Sequence, residues 1–310
     1  MKFAVIGSGG VGAYFGGRLA QAGHDVTFVA RGAHLSAIRE RGLRVSSIDG
    51  DFEIPAARAT DDPASIGPVD VVLLAVKTWQ VAEAAVQLPP LLGTAGAVLT
   101  LQNGVEAPDE AARVCGRERV LAGVCRIMSY VESPGHIRHA GVSARVEFGE
   151  WAGGASARAE ALRGAFAGCI GVSAAVSADI AVALWEKFLF IAPFSAVGAA
   201  TRKPAGVWRP VKETRALLAA AMTEVANLAR ARGVNLSPQA VDRTLGFTDK
   251  LPEDATASMQ RDLLEGRPSE LEAQTGAIVR LGREAGVPTP ANAFLYAVLL
   301  PSERQARGAF

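Results

Sequence analysis

Cysteine is scarce in this chain, and what there is forms no pattern. Three cysteines, Cys115, Cys125 and Cys169, are spread over 310 residues. An odd number without C-x-x-C spacing gives no sign of a disulfide framework and fits buried thiols in a reducing compartment. Excess charge of either sign is also lacking, since 32 Lys+Arg against 31 Asp+Glu leave a net charge of +1. Without a basic tract, no broad field attracts nucleic acid or an anionic membrane. The longest uncharged apolar run, Phe188 to Ala200, is too short to span a bilayer and contains Pro193. The chain enters its first strand directly after Lys2, with no room for a signal peptide, so a cytoplasmic protein is expected. Histidine is rare too, at four residues. His136 and His139 would point to opposite faces of a strand. No metal site is expected. What remains is a globular composition, 49% AVILMFWYC and 20% charged, long enough for two domains.

The most informative residues open the chain. Lys2 to Ile6 reads as a short buried strand, Val11 to Ala22 as a helix, and Asp25 to Ala30 as a second strand after the turn at Gly23-His24. Between the first two lies Gly7-Ser8-Gly9-Gly10-Val11-Gly12, a G-x-G-x-x-G in the β-α-β context that a dinucleotide requires. Gly7 permits the tight turn, Gly9 lets the backbone approach a pyrophosphate, and Gly12 lets helix and strand pack closely. The helix N-terminus offers N–H groups to the phosphates. The second strand ends Val29-Ala30-Arg31, without the acid that holds a free ribose 2′-OH. Arg31 can instead pair with a 2′-phosphate, which favours NADP(H) over NAD(H). Its bland alternative is a solvated loop charge.

Val69 to Val76 and Ala97 to Leu101 read as further parallel strands, buried on both faces. Trp79 to Leu92 between them is helical until Pro89-Pro90 stops it. Leu43 to Val45 and Phe52 to Ile54 resemble a small inserted hairpin. Val120 to Tyr130, Gly135 to His139 and Ala144 to Phe148 read as strands with short turns, and Gly171 to Val176 as the last strand. From about Ala178 the pattern is helical only: Asp179 to Ala192, Pro210 to Arg232, Ser237 to Leu245, Ala255 to Leu264, Ser269 to Ala285 and Asn292 to Leu299. The expected fold is therefore α/β, with a dinucleotide-binding domain over residues 1–177 and a helical domain over 178–310. Open α/β sheets bind ligands at the carboxyl ends of their strands, so a cleft is expected there. Apolar faces of the helical part suit either core or a homodimer interface.

Lys187 is the leading catalytic candidate. On a helix it shares a face with Ile180, Leu184, Ile191 and Phe194, and the opposite face holds Trp185, Phe188 and Leu189. Burial would ease loss of its proton, which suits a general acid at a carbonyl. The alternatives are an ion pair with Glu186 or a stem snorkelling to solvent. Lys77 and Asn103 each follow an expected strand at its carboxyl end and would face the cofactor cleft. Lys77 could equally be a loop charge, and Asn103-Gly104 an ordinary turn. Glu270 follows Pro268-Ser269 at a helix start, where Ser269 with Glu272 fits a capping box. Ser258 could be a helix-surface hydroxyl.

Taken together, G-x-G-x-x-G, the Lys77 segment VKTWQ, Gln102-Asn103-Gly104, Leu184-Trp185-Glu186-Lys187 and the Ser258 to Glu270 stretch resemble the ketopantoate reductases (2-dehydropantoate 2-reductases), in the same order and over essentially the whole chain. The resemblance implies an N-terminal Rossmann domain and an all-helical C-terminal domain like that of 6-phosphogluconate dehydrogenase. It implies reduction of 2-dehydropantoate to (R)-pantoate by NADPH in pantothenate biosynthesis. It assigns Lys187 as general acid, Glu270 as the carboxylate on the substrate hydroxyl, and Ser258 as a contact to the substrate carboxylate. Asn103 and Lys77 would lie near the nicotinamide, and Arg31 on the 2′-phosphate. The chain also departs from the family. Ile191 and Ser195 stand one and two turns after the lysine, where the family commonly has Asn, and Ala255 stands where a third Asn is frequent. A wall that loses amides discriminates less well for a small hydroxylated acid, which leaves a more apolar 2-oxo acid or carbonyl as the alternative substrate. A non-catalytic NADP(H)-binding regulator is a third reading, and retention of Lys187 and Glu270 argues against it.

Overall fold

The computed structural model describes residues 1–309. Its contacts divide the chain into two compact units. The first holds Met1–Gln102 and Glu106–Ile180. The second holds Asn103–Val105 and the chain from Ala181 onward.

Ten strands form the sheet of the first unit: β1 (Lys2–Ile6), β2 (Asp25–Val29), β3 (Leu43–Ser47), β4 (Phe52–Ile54), β5 (Arg58–Thr60), β6 (Val71–Leu74), β7 (Ala97–Thr100), β8 (Val120–Ser133), β9 (His136–Gly149) and β10 (Val172–Val176). Helices α1 (Gly10–Gln21), α2 (Gly32–Arg41), α3 (Val81–Ala85), α4 (Pro89–Leu92), α5 (Ala107–Cys115) and α6 (Ala157–Ala167) accompany it. The strand order is β4-β3-β9-β8-β7-β6-β1-β2-β5, with β10 also on β9. From β5 to β8 all neighbours are parallel, and β8 then turns antiparallel to β9. Parallel pairing needs both faces covered, and β1 shows how the sequence meets that need. Phe3 and Val5 enter one core with Phe15, Phe28 and Phe166, while Ala4 and Ile6 enter another with Val72, Leu74 and Val98. Chain order reverses at β1, which lies between β2 and β6, so the loop after β1 sits at the sheet's switch point.

Several expected elements differ from those observed. The run Val69 to Val76 yields a strand of only four residues, Val71–Leu74, because Ala75 and Val76 turn aside beneath the first glycine. Pro89-Pro90 does not stop a helix. It starts the short α4, where a missing N–H costs nothing in the first turn. The two strands expected at Gly135 to His139 and Ala144 to Phe148 are one continuous β9 of 14 residues, whose first part pairs with β3 and whose last part pairs with β10. The expected β3–β4 hairpin forms and is also built into the sheet through β3. Helices α2, α5 and α6 are absent from the expected elements. The buried-thiol expectation holds for Cys125 and Cys169, while Cys115 is only half-buried. Burial pushes the Cys169 thiol up to about 11, so it stays protonated.

The second unit is helical: α7 (Ile180–Thr201, its first residue counted with the first unit), α8 (Ala205–Trp208), α9 (Lys212–Ala231), α10 (Ala240–Asp249), α11 (Ser258–Leu264), a wide turn of π geometry over Glu272–Gly276, α12 (Ala277–Ala285) and α13 (Pro290–Ala306). The α7 helix runs a further nine residues past the expected end, straight through Pro193. By length and composition it could cross a membrane, yet 67% of its apolar window is buried within the protein, as in a core helix. Aromatic contacts anchor it. Phe194 meets Trp208 at 5.4 Å and Phe190 meets Phe247 at 5.1 Å. Buried Glu224 of α9 accepts from the backbone N–H groups of Ala291 and Asn292, which caps α13 with a negative charge at its dipole's positive end.

The α1–sheet contact is close enough to be tested. A Cβ on Gly16 would lie 2.6 Å from Val5 Cγ2 and 2.8 Å from a Phe28 ring carbon. Gly16→Ala should therefore destabilise the chain by about 1–3 kcal/mol through overpacking, despite the better helix propensity of alanine. Urea denaturation with an unchanged m-value is the check. A stabilised variant would show that α1 can move off the sheet.

Candidate active site

The glycine loop is shaped by close backbone approach. Gly7 has φ +95°, and a Cβ there would sit 2.5 Å from the Val76 nitrogen. At Gly12 a Cβ would strike the Gly7 carbonyl and crowd Val5 and Ala75 at 3.0 Å. Gly10 is closed in by the Ser129–Tyr130 backbone of β8. Gly9 differs, since nothing lies within 4 Å of its Cβ position. Within this loop Gly9 alone has open space, and it is the N-cap of α1, a helix with no side-chain cap. Ser8 is buried and tied down, its Oγ donating to the Val29 carbonyl at 2.9 Å. Val11 is half-buried on the first turn. Backbone N–H groups at an uncapped helix start beside open space are what an anionic pyrophosphate requires, so the loop fits a dinucleotide.

Arg31 stands as the N-cap of α2, directly beyond β2, and is exposed. Its guanidinium meets Glu83 of α3 at 3.2 Å. Both partners are mostly solvated, so the pair is weak and readily exchanged for a phosphate. Lys77 follows β6, exposed, with its ammonium 5.8 Å from the Trp79 ring centre. The Gln102 amide, at the end of β7, donates to the Leu74 and Val76 carbonyls at 2.9 and 3.0 Å, fixing the ends of β6 and β7 together.

No periodic signal points to His34, yet it belongs to this loop. Its Nε2 lies 2.8 Å from the Ser8 carbonyl, and its Nδ1 accepts from the Gly135 N–H at 3.0 Å. Its pKa lies below the usual histidine value, chiefly through burial, and the Ser8 carbonyl opposes that shift.

In the second unit, Asn103 Nδ2 donates to Glu270 Oε2 at 3.2 Å, joining residues 167 positions apart. Glu270 is buried and Asn103 half-buried. The expected capping box does not form. Ser269 Oγ donates to Glu303 at 2.5 Å and accepts from the Leu271 N–H, while Glu272 accepts from the Tyr296 hydroxyl at 2.6 Å. A buried carboxylate on α13 takes the Ser269 hydroxyl in place of the local cap. The wide turn follows at once, and Gln274 in it is fully buried with both amide atoms lacking a protein partner.

Lys187 lies on α7, half-buried, so the expectation of a buried ammonium is corrected. Leu184 and Phe194 on its own side are buried, as are Trp185, Phe188 and Leu189 opposite, while Lys187 and Ile191 stay half-buried. Glu186 turns to Arg243 at 2.9 Å, so it does not hold the lysine. Among the described residues no hydrogen bond or ion pair restrains the ammonium. Ile191 follows it half-buried. Ser195 is next, fully enclosed, its Oγ without a protein partner. Gly198 continues the same face and packs against the Gln260 amide of α11. Ser258, half-buried, opens α11 two residues earlier. Lys187, Ile191 and Ser195 thus lie on the face of α7 whose continuation at Gly198 packs against Gln260, two residues after Ser258. Ala255, also half-buried, accepts through its carbonyl from the Ala205 N–H at 3.0 Å. No cluster able to hold a metal occurs among the described residues.

Comparison with known proteins gives a consistent result. The family model "Ketopantoate reductase PanE/ApbA" matches residues 3–153, and its C-terminal counterpart matches 179–303. A 2-dehydropantoate 2-reductase of Mesorhizobium japonicum is 34% identical over 311 residues, spanning 94% of each chain. The crystal structure of a PanE/ApbA family ketopantoate reductase from Ralstonia eutropha JMP134 superposes with a TM-score of 0.90 at 32% identity, covering 99% of this chain and all of that one. D-mandelate dehydrogenase with NADH and anilino(oxo)acetate shares the fold at a TM-score of 0.89 and 23% identity, covering 99% and 100%.

The Asn103–Glu270 contact makes a pH-dependent prediction. Asn103→Asp would set a second carboxylate against a buried one, so one of the two must hold a proton. The folded state then binds more protons than the unfolded state between the ordinary carboxylate range and the raised pKa, and stability falls as pH rises through that window. Urea denaturation should show a loss of about 1–3 kcal/mol at pH 8, largely recovered at pH 5. Equal losses at both pH values would mean that the two side chains do not meet.

Proposed function

The chain belongs to the ketopantoate reductase (PanE/ApbA) family of NAD(P)H-dependent oxidoreductases acting on CH–OH/C=O groups, and from that premise we propose that it reduces 2-dehydropantoate to (R)-pantoate with NADPH, for pantothenate biosynthesis in the cytoplasm. The observation that carries this reading is the Asn103–Glu270 hydrogen bond, formed within the unit that also holds Lys187. It joins two motif residues 167 positions apart in sequence.

In this reading residues 1–177 bind the cofactor and 178–310 serve the substrate. The N–H groups around Gly9, Gly10 and Val11 hold the pyrophosphate, with Gly7, Ser8 and Gly12 shaping the turn, and Arg31 exchanges Glu83 for the 2′-phosphate. Lys77 contributes a positive charge beside the cofactor. NADPH, when bound, supplies the hydride that the carbonyl carbon receives. Lys187 hydrogen-bonds the carbonyl oxygen and gives it a proton as negative charge builds there, which yields the hydroxyl. Glu270 accepts from the substrate's own hydroxyl, and Asn103 keeps that carboxylate oriented. Ser258 donates to the substrate carboxylate. Ile191 and Ser195 form the wall that continues from Lys187.

A second reading is favoured by Ile191 and Ala255, which supply no amide: a 2-oxo acid with a more apolar side chain. NADPH oxidation with 2-dehydropantoate beside bulkier, more apolar 2-oxo acids separates the two. Turnover of 2-dehydropantoate at the highest kcat/KM supports the first, and activity confined to other members of the panel overturns it. Lys187→Ala should lower kcat about 10²–10⁴-fold and leave the Kd for NADPH within about two-fold. An undiminished kcat would remove the lysine from the chemistry. Arg31→Ala should weaken NADPH about ten-fold and leave NADH unchanged, as measured by equilibrium titration. Equal losses for both cofactors would show that Arg31 does not read the 2′-phosphate.

A further inference from the structure

His34 is a half-buried imidazole with both ring nitrogens engaged, on a helix that the function described above uses only through Arg31. Its partners fix its chemistry. The Gly135 N–H is a donor only, so Nδ1 must present a lone pair. The Ser8 carbonyl is an acceptor only, so Nε2 must carry the proton. One neutral tautomer satisfies both, and the imidazolium cannot, because its Nδ1–H would face an N–H. The two bonds join three pieces that are remote in sequence. Ser8 belongs to the glycine loop. Gly135, with φ +78°, forms the turn between β8 and β9 and passes its carbonyl to the Arg44 N–H of β3. His34 itself stands one turn after Arg31 on α2.

We propose that His34 is a positioning residue for the dinucleotide: it clamps the glycine loop and the first turn of α2 onto the β8–β9 turn, and so holds the pyrophosphate and 2′-phosphate sites at a fixed spacing. The inference rests on the dinucleotide reading of the glycine loop. Protonation breaks the Gly135 bond, so the clamp is intact above the ordinary histidine pKa and is lost as pH falls through the lowered one. The charged groups nearest His34 in the chain and on the neighbouring elements are paired elsewhere, and Arg126 and Arg145 lie farther along β8 and β9. On α2, Arg31 turns to Glu83 and Arg39 to Asp61. On the hairpin, the two oxygens of Glu132 are taken by Arg138 and His136. On β5, Arg58 pairs with Asp25. The glycine loop itself carries no charged side chain.

The test is equilibrium binding, followed by fluorescence or calorimetry on the full chain. NADH is the probe for the pH profile, because it lacks a 2′-phosphate that titrates in the same range. Wild-type Kd for NADH should be flat above about pH 7 and rise about three- to ten-fold as His34 protonates at lower pH. His34→Gln keeps a donor for Ser8 without a titrating nitrogen. Its Kd should stay within about two-fold of wild type at pH 8 and show no acid limb. His34→Ala should weaken NADH and NADPH by the same factor, about three- to ten-fold at pH 8, unlike Arg31→Ala. A merely structural role would lower Tm without moving the pH profile. A flat or inverted wild-type profile, an acid limb retained in His34→Gln, or wild-type affinity in a folded His34→Ala would each overturn the clamp. Should His34→Ala not fold, the wild-type and His34→Gln profiles still decide. Failure of wild type to bind either dinucleotide at any pH would instead overturn the dinucleotide reading itself.

Discussion

The close approach of the β1–α1 turn to the neighbouring strand governs this molecule. Gly7 lies against the Val76 backbone and Gly12 against Gly7, and neither position has room for a side chain. That packing brings α1 to the sheet at the strand flanked by β2 on one side and β6 on the other. It also leaves Gly9 as the uncapped, open start of a helix. Fold and function are therefore one constraint here. A sheet that packs its first helix this tightly presents unsatisfied N–H groups at its switch point, where an anion is the natural occupant.

The second unit answers a different constraint. An apolar helix of 22 residues needs cover on nearly every side, and α7 obtains it from Trp208, Phe247 and the Gln260 end of α11. Lys187 stays half-buried among these covered positions. Glu270 accepts from Asn103 beside a residue whose cap is displaced. Glu303 captures Ser269, so the local capping box fails. In the function proposed above, Glu270 with its amide partner serves substrate recognition and Lys187 serves proton donation.

Legibility in the sequence followed the range of the interaction. The β-α-β unit was plain because turn, helix and strands are adjacent, and strand boundaries there fall within a residue of those expected. The parallel strand at Val71–Leu74 was overestimated because apolar residues continue into the loop that packs under Gly7. Period alone could not tell that Gly141 is passed through by a continuous β9, or that Pro193 is tolerated within α7. The burial expected of Lys187 assumed that an apolar segment is covered all round. Its neighbours take the core positions instead. Ser269 offered a local cap and took a partner 34 residues away. His34 carried no signal at all, because both its bonds are to backbone groups that any residue supplies.

The measurement that bears most directly on this account is a crystal structure of the chain grown with NADPH. The account predicts the pyrophosphate on the N–H groups of Gly9, Gly10 and Val11, and the 2′-phosphate on Arg31 with Glu83 released. A dinucleotide bound elsewhere, or one whose 2′-phosphate leaves the Arg31–Glu83 pair intact, would contradict it.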